Sequence, residues 1–213
     1  MRKLTFLVLI TFFTFSCGNK KEPAVPEENK ETGKPDSNSV NKPDLTINTY
    51  APVDVSPMDM SYFPVDYPKL KMSKSFAATS PKARVIYSRP HLQGRHVFHE
   101  VLKYGEPWRL GANEATELEL YTDVTIQGQK IKAGRYILYC IPQLNEWAIV
   151  LNSNTDAWGL EPDPSKDIAR FTTPVKATNN SLEYFTIIFE GSGNNAVLLM
   201  AWDNVEVRLP ILF

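Results

Sequence analysis

From residue 80 onward the hydrophobic positions recur mostly at every second residue. Val85 and Tyr87 fall on one face of the segment 83–89, and Glu117-Leu-Glu-Leu-Tyr121 alternates polar and apolar without a break. A period of two is the pattern of half-buried β-strands, whose successive side chains point to opposite faces. It predicts further strands at 135–141, 147–152, 169–175, 184–189, 196–202 and 205–209. Asp123 to Ile126 and Gln129 to Ile131 flank Gln127-Gly128, a tight hairpin in which the glycine supplies the positive φ. Only 97–102 and 165–169 leave room for a turn of helix. About nine or ten short strands with no long amphipathic helix among them predict an all-β fold, an antiparallel two-sheet β-sandwich or jelly-roll-like domain. A parallel α/β fold has no crossover helices to use.

Before residue 80 the pattern changes twice. Arg2 and Lys3 precede Leu4 to Phe15, an unbroken run of apolar residues and threonines, too short to span a bilayer and long enough for the core of an export signal. It ends at Ser16-Cys17-Gly18. A small residue before a cysteine at that boundary resembles a bacterial lipobox, in which the thiol is acylated and the cysteine becomes the new N-terminus. The competing reading is an ordinary signal with Cys17 incidental. The lack of Asp after Cys17 resembles outer-membrane sorting, and the sequence leaves open whether the domain faces the periplasm or the cell exterior.

The expected division is a signal peptide at 1–16, a lipid-anchored tether at 17–74 and one domain at 75–213. Residues 18–49 mix Lys with Glu and Asp and offer almost nothing apolar to bury, so they are expected to remain disordered. A flexible chain of about 55 residues reaches on the order of 40 Å. Residues 50–72 differ: Val55, Met58, Met60, Tyr62, Phe63 and Tyr67 are interspersed with Pro52, Pro57, Pro64 and Pro68. The prolines argue against a central strand or a helix, yet so much apolar surface is not left in water. This segment is expected to wrap along the domain or to dock on a partner.

Charge and cysteine content narrow the functions. A net charge of −1 offers no basic excess for counterion release, which removes nucleic acid as a partner. With Cys17 lipidated, Cys140 is the only remaining thiol, so no internal disulfide is available. Apolar residues occupy both parities around Cys140, which predicts a buried, inert thiol.

A set of residues scattered through the strand region carries a family resemblance. Tyr87-Ser-Arg-Pro90, Gly94-Arg95, Tyr104-Gly105, Trp108-Arg109, Gly111-Ala-Asn-Glu-Ala-Thr116, Asp123-Val124, Ala133-Gly134, Ile141-Pro142, Trp147 and Asn152 form a pattern similar to the domain of unknown function family 2911. The resemblance covers roughly 80–211. It implies an exported bacterial protein, often a lipoprotein and common in Bacteroidetes, with a β-rich fold and no assigned reaction. One departure is the direct run from Ser80-Pro81-Lys82-Ala83 into Val85, where family members carry a longer strand-turn-strand opening; residues 50–72 are the candidate for the missing edge strand.

Polar residues cluster without strand alternation only between Tyr87 and Glu117, and loops carry function more often than strands do. The candidate binding or catalytic cluster is Arg89, Arg95, Trp108, Arg109, Asn113 and Glu114. Arg109, Asn113 and Glu114 suit an anionic or hydroxyl-rich ligand, since guanidinium offers a two-pronged donor and the amide both donor and acceptor. The alternative is structural, with Arg109 paired to Glu114 and Asn113 holding a turn beside Gly111. His91, His96 and His99 lie close enough in sequence to raise a metal site, although a three-residue spacing shares a face only on a helix. Trp147 and Trp202 belong to the core; Trp158 is the exposed tryptophan, and Trp108 borders the cluster. The acidic residues Asp156, Glu161, Asp163 and Asp167 raise calcium without matching an EF-hand spacing. Glu117 and Glu119 read as a strand's solvated face. No nucleophile elbow, zinc-protease helix, phosphate loop or dinucleotide fingerprint is present, and no cofactor is called for.

The resulting expectation is an outer-membrane lipoprotein, held by the lipid on Cys17, whose domain binds a ligand or protein partner without catalysis, alone or as an accessory subunit of an outer-membrane protein complex. The alternative is a cell-envelope hydrolase acting on a glycan or peptide through Arg109, Asn113 and Glu114. Glu114 or a histidine open in a deep cleft beside a second carboxylate favours the hydrolase; Arg109 and Glu114 sealed together beneath a flat surface removes it.

Overall fold

The structure, a computed structural model, describes residues 54–73 and 80–213. The expected signal at 1–16, Cys17 and the tether up to residue 53 lie outside the described residues. Nine strands are hydrogen-bonded into one antiparallel sheet that does not close: β1 (Met58–Phe63), β2 (Ala83–Ser88), β3 (Thr116–Leu120), β4 (Val124–Ile126), β5 (Gln129–Ile131), β6 (Gly134–Pro142), β7 (Glu146–Asn152), β8 (Asp167–Ser192) and β9 (Asn195–Leu212). Their spatial order is β1-β2-β3-β6-β7-β8-β9-β4-β5. The all-β, antiparallel expectation holds, and the ladder is continuous from one edge to the other. Among the described residues no helix is long and apolar enough to cross a membrane.

Two pairs of expected strands are each one long strand. Polar residues at 176–183 and at Asp203-Asn204 read as turns in sequence, yet Val175 to Ala177 pairs with Val205 to Val207 and Leu182 with Asp203. The ladder absorbs the polar stretch through register shifts around Leu182 and a positive φ of 50° at Asp203. Such local irregularities re-aim a strand without ending it. The first part of β8 pairs with β7, and the part from Val175 onward pairs with β9. The predicted hairpin is present, with Gln127 at φ 47° and Gly128 at φ 81°, as a two-residue turn with both central residues left-handed requires.

Residues 58–63 form the edge strand β1, paired with β2 from Met58↔Ser88 to Phe63↔Ala83. Pro57 and Pro64 flank this strand, and Pro57 extends its ladder only as an acceptor, from Arg89 N–H at 3.0 Å, so no N–H is missed. Contrary to the expectation of no helix, one turn, α1 (Tyr67–Leu70), follows, with Pro68 in its first turn where a missing N–H costs nothing. β1 also runs beside the second part of β8. Phe189 N–H donates to Ser61 Oγ at 3.0 Å, Phe185 N–H to the Pro90 carbonyl at 2.9 Å and Leu92 N–H to the Glu183 carbonyl at 3.0 Å.

One hydrophobic core lies on the inner face. Phe63 stacks on Phe213 at 4.9 Å, Tyr87 meets Phe185 edge-on at 5.9 Å, and Trp108 stacks on Trp202 at 5.6 Å. Trp147 and Trp202 are fully buried, as expected. Cys140 is buried and free, and desolvation pushes its thiol well above the usual range, which makes it inert.

Candidate functional site

The most family-specific stretch, residues 108–116, builds a loop around one buried hydroxyl. Ser88, at the end of β2, is wholly buried, and its Oγ accepts from Ala112 N–H and Asn113 N–H, each at 2.9 Å. Leu110 is buried at φ 55°, Trp108 Nε1 donates to the Gly111 carbonyl at 3.2 Å, and Thr116 Oγ1 donates to the Leu110 carbonyl at 2.6 Å. A Cβ on Gly111 would lie 3.1 Å from Ser88 Oγ, so the small residue permits this approach. Residues 153–160 pack on this loop through Gly159, at φ 81°, where a Cβ would lie 2.6 Å from Ala115 Cβ.

These contacts leave an open cleft of about 550 Å³ on the outer face of the sheet. Its floor comes from alternate residues of neighbouring strands: Met58 of β1, Arg84 and Ile86 of β2, Glu117 of β3, and Arg135 and Ile137 of β6. Glu114 and Ala115 border it on one side and Asp156, Ala157 and Trp158 on another. The register places Ile86 opposite Glu117 and Glu117 opposite Ile137, with Arg84, Glu119 and Arg135 in the next row.

The charges in this cleft are mostly paired. Arg135 donates through both Nε (3.1 Å) and Nη2 to the two oxygens of Glu117, and its Nη2 also reaches Asp156 Oδ1 at 3.1 Å. The two carboxylates hold the Arg135 guanidinium well above its ordinary pKa, the Glu117 hydrogen bonds contributing most. Arg84 Nη2 donates to Glu119 Oε2 at 2.6 Å, while Arg84 Nε is buried without a partner. Glu114 is exposed and makes no hydrogen bond or ion pair with the described residues. Trp158 is 58% exposed, with the Arg109 guanidinium 5.7 Å from its ring centre, a cation–π contact.

Of the six residues of the predicted cluster, only Glu114 lines this cleft. Arg109 stands behind it, holding Trp158 and donating through Nη2 to the Ala112 carbonyl, with Nη1 buried and unpartnered. Desolvation lowers its pKa. The expected Arg109–Glu114 pair is absent among the described residues, because Arg109 turns toward Ala112 and Trp158. Asn113 serves the N-terminal segment: Nδ2 donates to Asp54 Oδ2 at 2.6 Å and to the Ser56 carbonyl at 3.3 Å. Arg89 joins β1 to β8, donating to Asp59 Oδ2 (3.2 Å), the Phe185 carbonyl (3.1 Å) and Thr186 Oγ1 (3.0 Å). Arg95 clamps its own loop through the carbonyls of Leu92 and His91. Trp108 is buried among Trp147, Phe185 and Trp202 and belongs to the core.

The three histidines are divided. His91 stacks on Tyr184 at 5.3 Å, whereas His99, on the helical turn Val97–Val101, and His96, just before it, border a separate cavity of about 460 Å³ with Tyr104, Trp147 and Asp203. Among the described residues no three His, Cys, Asp or Glu side chains are grouped as a metal ion requires. The acidic residues considered for calcium are likewise dispersed. Asp156 faces Arg135, Asp163 caps Ser165, and Asp167 accepts from Tyr139 and Asn152.

Arg84 and Arg135 escape sequence reasoning that looks for polar residues outside strands, and Asp156 was read there only as a calcium candidate. The available signal was the polar side of the strands themselves: Arg84 and Arg135 alternate with core residues and flank the Glu117-Leu-Glu119 strand in register. Glu117 and Glu119 lie on that strand's outer face, as expected, and both are ion-paired.

A family model described as "Protein of unknown function (DUF2911)" matches residues 68–211. No curated protein and no solved structure matches the chain.

Proposed function

The chain belongs to the DUF2911 family, and from that premise we propose that it is a non-catalytic binding protein of the bacterial cell envelope, anchored in the outer membrane through acylated Cys17. The domain binds a ligand or protein partner through the outer-face cleft, alone or as an accessory subunit of an outer-membrane complex. The proposal includes the layered form of the fold. The sheet turns over along β8 so that its two halves cover one core as a sandwich, supported by the ring contacts between Phe63 and Phe189 and between Tyr87 and Phe185.

The observation that carries the binding reading is the pre-paired charge of the cleft. Catalysis by two carboxyl groups needs one of them kept protonated, by apolar surroundings or by a second, unpaired carboxylate close beside it. Glu114 lies open to water, and Glu117 and Asp156 are both engaged by Arg135. Such groups are fixed in place and suited to recognition.

The test has two parts. Cells fed labelled palmitate are expected to label the full chain and not Cys17→Ala, whose domain leaves the membrane fraction. Pull-down of the full chain from membranes with mass spectrometry is expected to return a stoichiometric partner or bound molecule; recovery of the protein alone counts against the binding reading.

One observation favours the hydrolase alternative: Glu114 shares the cleft with two further carboxylates. Under that reading envelope glycans or peptides are cleaved by the wild type, and Glu114→Gln abolishes cleavage while leaving binding intact. Intact substrate after prolonged incubation with the wild type removes it.

A further inference from the structure

The cleft's remaining hydrogen-bonding capacity points to a class of ligand. Arg135 uses Nε and Nη2 on its two carboxylates, which leaves Nη1 without a partner among the described residues. Glu117 takes one hydrogen bond on each oxygen, and each oxygen keeps a lone pair. The cleft therefore keeps both donor and acceptor capacity, on Arg135 Nη1 and on the Glu117 oxygens, in groups held by ion pairing. A pair of neighbouring hydroxyls, each able to donate to a carboxylate and accept from a guanidinium, matches such an array. The exposed indole of Trp158 supplies an apolar wall of the kind the C–H face of a sugar ring covers.

Charge excludes the main competitors. Arg84, Arg135 and the Trp158-bound Arg109 meet Glu114, Glu117, Asp156 and the Arg84-bound Glu119, three cations against four carboxylates, so the cleft has no cationic excess to hold an anionic ligand. A polycationic chain needs several unengaged carboxylates, and Glu114 is the one without a partner among them. We propose that the outer-face cleft binds a neutral, hydroxyl-rich saccharide, with Trp158 as the stacking platform and the Arg135–Glu117 pair as the hydroxyl-recognising group. This rests on the reading of the outer-face cleft as the domain's binding site.

The test uses the full chain, kept in a polyoxyethylene detergent because sugar-headed detergents would compete. It is titrated with neutral tetrasaccharides of glucose, mannose, galactose and N-acetylglucosamine, with tetralysine, and with a sulfated tetrasaccharide. Tryptophan fluorescence and the indole N–H resonance of Trp158 report binding; the resonance is assigned by its loss in Trp158→Ala. At least one neutral tetrasaccharide is expected to saturate the signal and to bind about tenfold more weakly to Trp158→Ala. Lys130→Gln, an exposed change on β5 that touches no residue of the cleft, is expected to bind it within about threefold of wild type. Both variants alter exposed side chains, and an unchanged melting temperature verifies that each is folded.

Binding of tetralysine or the sulfated sugar alone overturns the saccharide assignment and leaves the binding reading intact. Silence with every probe also overturns the saccharide assignment, and the binding reading falls with it only if the membrane pull-down is empty. Shorter sugars appearing by chromatography overturn the non-catalytic reading while the saccharide assignment stands.

Discussion

Gly159 fixes the position of Trp158 without touching any ligand. Its φ of 81° is one that L side chains avoid, and a Cβ there would press on Ala115 Cβ at 2.6 Å, with Arg109 Cβ at 3.1 Å. Neither neighbour is the free end of a flexible chain, so the backbone must give. Gly159→Ala is expected to cost about 2–4 kcal/mol from strain and overpacking together, read as a lower midpoint in urea. The same variant should shift the Trp158 indole resonance, because Trp158 precedes the disturbed residue. Gly128, also left-handed, has open space where a Cβ would project, so Gly128→Ala should carry only the backbone cost, about 1 kcal/mol. The contrast between the two glycines separates close packing from backbone preference.

Strand β1 is held by a few identifiable contacts, and each has a different visibility in the sequence. Phe63 is fully buried and stacks on Phe213, while Met58 and Met60 are exposed. Asp59 meets Arg89 and Asp54 meets Asn113, so the polar anchors come from residues that read in sequence as a site. Phe63→Ala is expected to cost about 3–5 kcal/mol and to release β1 before the rest of the sheet. Hydrogen exchange followed by mass spectrometry should show 58–63 losing protection while 134–152 keeps it; uniform loss would mean that β1 is integral to one cooperative unit. Strands 83–89 and 117–121 were legible from their alternation, and 135–141 and 147–152 as apolar runs separated by the turn at 142–146. β1 was legible as the candidate edge strand within 50–72 through the family pattern and not through alternation, since its prolines mask the ladder between them. The long β8 was not legible, because Asn179-Asn180 and its neighbours have turn composition and lie in an irregularity that the pairs Ala177↔Val205 and Leu182↔Asp203 bridge on either side. The cleft was hidden for a related reason: Arg84 and Arg135 become neighbours only once β2, β3 and β6 are in register.

At the scale of the whole molecule, pH tests how far the buried phenols and the surface ion pairs share one folding equilibrium. Tyr87 and Tyr139 are almost wholly buried, and burial pushes both from 10.0 up to about 12; hydrogen bonds to Asp59 and Asp167 push in the same direction. A raised pKa in the folded state means that the unfolded chain gives up these protons first. Stability from these groups is therefore complete below pH 10 and falls as the pH rises toward 12. On the acid side the sign reverses. Arg208 and Lys176 hold the Glu206 carboxyl below its ordinary 4.5, so its contribution is present above that value and is lost as the pH falls through the depressed one. Stability should thus form a plateau through neutral pH with a shoulder at each end. Tyrosinate absorbance in the near ultraviolet, recorded beside circular dichroism, checks the alkaline shoulder. Tyr87 and Tyr139 should ionise only as the β-sheet signal collapses. Ionisation of all the tyrosines near pH 10 with no loss of the sheet signal would contradict the buried positions on which the core argument depends.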